Sequence, residues 1–299
     1  MRLEVAPRVA VSLALVLVLG AGSPLRNDRW PEFSPDGSHI AFQRSQYGHM
    51  DVFVTDVNES APIPITRGKD DVLSMSPAWF PDGKHLVFTT TDMKGTAGSG
   101  YFYEVSSSGG EAQQLSQGAE RGRSISPDGT RLLFLTKNWQ VASLDIATGR
   151  TTVLSEPPKG TLDSDPAWSA DGMKIAFGCG YDSTAKVPAT GICVMDPDGR
   201  NRHMIAHWPG ADEWPTWSPD GKQIAFQADS PDFTSGQIIV CKTDEADCRA
   251  ITQRTGYKVN ETPSWSSDGT WIAFQVQTQT GYRVALIHPD GSGFRVLFP

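Results

Sequence analysis

At 299 residues the chain is long enough to bury a large core, as one domain or two. It carries 34 acidic against 26 basic side chains, a formal net charge of −8. That balance argues against nucleic acid or an anionic membrane surface as the main partner. The plain consequence of the acidity is solubility.

The first 23 residues differ from the rest. Arg2 and Arg8 give a basic start, Val9 to Leu19 is apolar apart from Ser12, and Gly20, Ala21, Gly22 and Ser23 are small. This order predicts a secretory signal peptide over residues 1–23. The alternative is an uncleaved anchor, although the run is short of the ~20 residues a spanning helix needs. Contact with a membrane is therefore expected at most through this segment, and the location is periplasmic or extracellular.

From residue 27 to 299 the chain repeats itself. Asp-Gly recurs at Asp36, Asp82, Asp128, Asp171, Asp220 and Asp268, at intervals of 46, 46, 43, 49 and 48 residues. Five residues after each Gly stands Phe: Phe42, Phe88, Phe134, Phe177, Phe226 and Phe274. Three residues before each Asp stands a large apolar residue: Phe33, Trp79, Ile125, Trp168, Trp217 or Trp265. Five repeats place Pro two residues before that one, and the third has Arg123 instead. Periods of 40–50 residues with four strand-like runs each are the signature of propeller blades. Strand a ends in the Asp-Gly turn, where Asp caps and Gly takes the left-handed position. Strand b follows (Ile224–Phe226), then strand c (Val52–Val54, Ile238–Val240), then strand d (Val153–Leu154, Val296–Leu297). Large Trp and Phe beside small Ala41, Ala176, Ala225 and Ala273 suit wedge-shaped packing between blades. The fold class predicted is all-β, a six-bladed propeller of four-stranded antiparallel blades. Because the repeats start at strand a and end at strand d, blade six is expected to pack directly on blade one.

The four Cys form an even set in a chain marked for export, which suggests disulfides. Cys179 and Cys193 flank one loop and Cys241 and Cys248 another, so each pair can bridge one hairpin. The alternative is free buried thiols. Neither pair has zinc-ligand spacing.

The run Pro215 to Phe226, Pro-Thr-Trp-Ser-Pro-Asp-Gly-Lys-Gln-Ile-Ala-Phe, resembles the TolB-type, WD-like propeller repeat. Trp79 to Gly83 and Ile192 to Gly199 are similar. The resemblance covers nearly all of the chain after residue 26 and implies the propeller fold. It implies a role in the cell envelope, where a TolB protein works with the Tol-Pal system and binds Pal-like lipoproteins. The resemblance covers the propeller alone and does not extend to the α/β domain that precedes it in TolB, so contacts made through that domain are not expected to carry over.

The Asp-Gly turns lie on one face, and the b–c and d–a loops on the other. Variable loops on a rigid scaffold are where recognition concentrates, here Thr91–Gly100, Cys179–Gly191 and Ser230–Gly236. Three residues before the Pro position stand Asp28, Ser74, Glu120, Asp163, Asp212 and Asn260. One reading makes them an acidic ring at the channel mouth that binds a cation, a basic peptide or an amino group. The other has them capping loops as strand a begins. Trp30 and Trp214 could add an aromatic rim. His203 and His207 are four apart but lack a third close ligand. No motif for a cofactor, a nucleophile or a phosphate is present. The sequence thus predicts a noncatalytic envelope protein that binds a protein or peptide partner through the loop face. The enzyme alternative is a metal-assisted, carbohydrate-active propeller using the acidic mouth.

Overall fold

The computed structural model describes residues 26–58, 61–68, 72–92, 100–119, 121–182, 190–231, 234–244, 247–253 and 255–298. The signal segment and most of the loops Thr91–Gly100 and Cys179–Gly191 lie outside these residues.

The Asp-Gly turn is a small hydrogen-bonded device repeated around the molecule. In the first copy Gly37 has φ +72° and its N–H donates to Ser34 O. Asp36 Oδ1 accepts from Ser34 Oγ at 2.6 Å and from Ser38 N at 3.0 Å. Ser34 Oγ in turn accepts from His39 N at 2.9 Å, which starts strand b. The same Ser–Asp–N–H chain recurs at Ser126, Ser169, Ser218 and Ser266. Hydroxyl and amide donors stabilise the carboxylate and hold Asp36 and Asp128 down to about 2. In the second copy Phe80 replaces the Ser, and Asp82 turns to His85 Nδ1 at 2.6 Å.

Each turn joins two strands of one blade. Blade one is β1 (Asn27–Phe33), β2 (His39–Gln46), β3 (His49–Asp56) and β4 (Ile63–Pro64). Blade two is β5 (Val72–Trp79), β6 (His85–Asp92), β7 (Gly100–Ser106) and β8 (Gln113–Ala119). Blade three is β9 (Arg121–Ile125), β10 (Arg131–Leu135), β11 (Val141–Asp145) and β12 (Thr151–Val153). Blade four is β13 (Thr161–Trp168), β14 (Ile175–Asp182), β15 (Gly191–Met195) and β16 (His203–Ala206). Blade five is β17 (Ala211–Trp217), β18 (Gln223–Asp229), β19 (Gly236–Lys242) and β20 (Cys248–Ala250). Blade six is β21 (Asn260–Trp265), β22 (Ile272–Thr278), β23 (Gly281–Ile287) and β24 (Arg295–Val296). Every sheet is antiparallel and made of four consecutive strands.

The core lies between blades. All six repeat Phe are buried, and Ala41, Ala176, Ala225 and Ala273 have no exposure at all. One cluster joins Ala225, Ile238 and Val240 of blade five to Trp265, Ile272 and Phe274 of blade six. Another joins Phe33, Ile40 and Phe42 of blade one to Ala273, Val284 and Leu286 of blade six. The ring therefore closes by packing blade six on blade one, with no strand exchanged. Closure is reinforced by Trp30 N donating to Gln275 Oε1 at 2.9 Å and Tyr282 N donating to Asn27 Oδ1 at 3.0 Å.

Strand a is irregular where it meets Pro. Proline lacks an N–H and cannot continue the ladder. The register of β1 on β2 shifts between Arg29 and Glu32, and the other Pro-bearing inner strands shift likewise. The residue before each Pro sits at positive φ: Trp30, Ser76, Asp165, Trp214 and Thr262. The fold imposes this conformation on five different residue environments. Both cysteine pairs are bonded, Cys179 to Cys193 between β14 and β15 and Cys241 to Cys248 between β19 and β20.

Candidate functional site

The six positions read as a channel-mouth ring do not form an open ring. Asp28, Asp163, Asp212 and Asn260 have no solvent exposure, and Ser74 keeps 3 %. Glu120 lies outside the described residues. The parity of strand a turns these side chains between the blades, and the bulge comes only two residues later.

Each buried group has its own solution to the cost of losing water. Asp28 accepts from Arg44 Nε at 2.6 Å, Arg44 Nη2 at 3.0 Å and Arg26 Nε at 2.9 Å. Asp163 takes a two-pronged contact from Arg202, both bonds 2.8 Å. Asn260 is the neutral version. Its amide donates to Gly236 O and Tyr257 O at 3.0 Å, and its oxygen accepts from Thr255 Oγ1 at 3.3 Å. Capping by short polar side chains therefore accounts for Asn260, whereas arginines hold the two aspartates.

Asp212 is the exception. Its Oδ2 accepts from Trp208 N at 2.7 Å and lies 3.4 Å from His207 Nδ1, while Oδ1 has no hydrogen-bond partner. His207 Nδ1 is also 2.7 Å from Thr190 O, so that nitrogen carries a hydrogen. Asp212 N donates to Thr190 Oγ1. Burial raises the Asp212 carboxyl to about 7, against the opposing pull of Trp208 N–H and His207.

The next two positions of strand a carry carboxylates that keep some exposure. Glu213, Asp165 and Glu261 are half-buried. Glu261 accepts from Gln275 Nε2 at 2.5 Å. Arg29 lies over the Tyr282 ring at 3.7 Å, and burial together with Glu261 pushes the Tyr282 hydroxyl up to about 12. Trp30 and Trp214, expected as a rim, turn inward. Their ring centroids are 5.8 Å apart although blades one and five are not neighbours. Met50, Leu73 and Met75 pack on the pair. The two rings thus tie together the inner strands of two blades that are not neighbours.

His203 and His207 are not brought together. His203 Nδ1 bonds Asn201 O, and His207 faces Thr190. Among the described residues no group of three or more His, Cys, Asp or Glu could hold a metal.

Two features of this face escape sequence reasoning. Gln43, Gln227 and Gln275 follow the repeat Phe and accept the strained backbone N–H of Ser76, Thr262 and Trp30 in the next blade. The Phe-Gln pair, present three times, was the available signal. Tyr47 stands 71 % exposed at the two-residue tip between β2 and β3, with φ +54° there and +83° at Gly48. Nothing in the repeat marks it.

Residues 26–190 and 166–298 match the PD40 family, TolB beta propeller domain. An uncharacterized peptidase, YuxL, from Bacillus subtilis is 26% identical over 207 residues, covering 66% of this chain and 29% of its own length. A TolB homolog from Chlorobium luteolum is 29% identical over 164 residues, covering 53% and 34%. The chain thus spans about a third of these curated relatives. The crystal structure of TolB from Acinetobacter baumannii superposes with a TM-score of 0.67 at 20% identity, over 96% of this chain and 66% of that one. At that identity the likeness concerns the fold.

Proposed function

The chain belongs to the TolB β-propeller domain family, and on that footing we propose that it is a noncatalytic, exported interaction propeller. It binds a protein or peptide partner through the face carrying the d–a and b–c loops. The observation that carries this reading is the state of the channel mouth. Asp28 and Asp163 are held by arginines, and Trp30 packs on Trp214 instead of forming a rim. Recognition would then fall to the loops of this face, where it concentrates on propeller-like scaffolds.

Binding would be by several loops at once on a preorganised disc, which lowers the ordering cost of association. Glu213, Asp165 and Glu261 favour cationic groups on the partner. Tyr47 supplies an aromatic anchor of the kind that dominates interfaces. Export is supported by the N-terminal segment and by the two bonded cysteine pairs.

The test is affinity capture from envelope extract with the wild-type protein and the Tyr47→Ala and Glu213→Gln variants. Thermal melting establishes that each variant is folded. The reading requires a captured partner that both variants lose or retain only weakly. Capture unchanged in both variants overturns it.

A further inference from the structure

Two asparagines of the chain open the sequence Asn-x-Ser/Thr with no Pro between: Asn58-Glu59-Ser60 and Asn260-Glu261-Thr262. That sequence is the acceptor for N-linked oligosaccharides in exported proteins. The fold separates the two. Asn260 begins β21 with no exposure, and its amide nitrogen already donates to Gly236 O and Tyr257 O, each at 3.0 Å. A sugar on that nitrogen would have to displace both bonds and part blade five from blade six.

Asn58 is the opposite case. It stands exposed just past the end of β3, in the turn towards β4. Asn58 N donates to Asp56 Oδ1 at 2.8 Å, so the acidic side chain two residues earlier closes an Asx turn. Val57 N donates to Ser38 O at 3.1 Å, and Val57 O accepts from Arg295 Nη2 at 2.9 Å. The residue before Asn58 is thus pinned on both sides, and the acceptor amide is exposed on a fixed base. Glu59 and Ser60 lie outside the described residues and complete the sequence Asp56-Val57-Asn58-Glu59-Ser60. One class of oligosaccharyltransferase accepts only asparagines with a carboxylate two residues earlier. Asn58 meets that requirement with Asp56, whereas Asn260 has Lys258 at that place. Ser38 belongs to the first Asp-Gly turn, so Asn58 lies on the face opposite the d–a and b–c loops.

We propose that Asn58 is the acceptor of an N-linked oligosaccharide. The donor is an oligosaccharide carried on a lipid pyrophosphate. Asn58 Nδ2 bonds to C1 of the first sugar, and the bond from C1 to the pyrophosphate oxygen breaks. The lipid pyrophosphate leaves with the electron pair, and the amide gives one proton to a base of the transferase. The sugar occupies the Asp-Gly face and leaves the loop face free for a partner. The proposal rests on the export reading, because the transfer takes place outside the cytoplasm.

Peptide mass spectrometry tests it on two materials. One is the protein recovered from the exported fraction of the cells that produce it. The other is the purified, folded full chain incubated with a bacterial oligosaccharyltransferase of the acid-requiring class and its lipid-linked oligosaccharide. Both should carry one oligosaccharide on the peptide spanning Asn58. Asn58→Gln abolishes the modification, and Asp56→Ala removes most of it. Thr262→Ala destroys the second acceptor sequence at a hydroxyl that has no partner, and leaves the modification unchanged. Thermal melting shows that each variant is folded. The proposal is overturned if the folded chain takes up no sugar, if the sugar is on Asn260, or if the exported protein carries Asn58 bare. A chain that the transferase modifies at Asn58, but that cells keep in the cytoplasm, refutes the export reading alone and leaves Asn58 a competent acceptor.

Discussion

Asp212→Asn should make the protein more stable at alkaline pH. Asp212 is wholly buried, one carboxyl oxygen has no partner, and its pKa is raised from 3.8 to about 7. Ionising such a group in place costs on the order of 4 kcal/mol. The folded state holds the proton where the unfolded chain has lost it. Stability contributed by this group is therefore present below pH 3.8, declines as pH rises to 7, and stays lost above that. The amide form does not titrate, and Asn260 at the matching place in blade six already shows it held by two carbonyls. If local rearrangement offsets half the cost, the variant gains about 2 kcal/mol at pH 8.5, or roughly 4–8 °C. Urea and thermal unfolding of both proteins from pH 4 to 8.5 measure this. The difference between them should grow up to pH 7 and then level off. Parallel profiles across the whole range would refute the reasoning.

The turn carboxylates have the opposite sign. Asp36 and Asp128 are held at about 2, so the stability they contribute is present above pH 4 and lost as pH falls towards 2, which acid titration followed by circular dichroism should record. Ser126→Ala removes the acceptor of Arg131 N and a donor to Asp128, and should cost about 1–2 kcal/mol in denaturant unfolding. Gln275→Leu leaves the buried Trp30 N–H without its acceptor at the ring closure; a loss of about 1–3 kcal/mol is expected, and no loss would count against that closure contact. Non-reducing peptide mapping should recover Cys179 with Cys193 and Cys241 with Cys248, and replacing either pair by Ser should cost about 2–4 kcal/mol.

Blade number, blade boundaries and the manner of ring closure were legible because they rest on local chemistry. Ser, Asp and Gly at constant offsets build one turn wherever they occur, and Phe42 or Phe226 marks the strand that follows. The cysteine pairings were legible as a choice between bridges and thiols, since each pair flanks a single hairpin. The aspartates of strand a were read either as a ring at the channel mouth or as loop caps, and the structure buries them, two of them against arginines. Which way Asp28 or Asp163 points depends on strand parity and on a bulge two residues later. Arg44 lies on the adjacent strand, but Arg202, 39 residues away, carries no mark in the repeat.

The sequence by itself determined the count and phase of the blades and the face on which the regular turns lie. Those features depend on residues within a few positions of each other. Only the tertiary structure decided that Trp30 and Trp214 meet although their blades are not neighbours, and that Asp212 lacks the arginine that Asp28 and Asp163 have. Each depends on groups that ring closure brings together from separate blades or strands, and no periodic pattern records that distance.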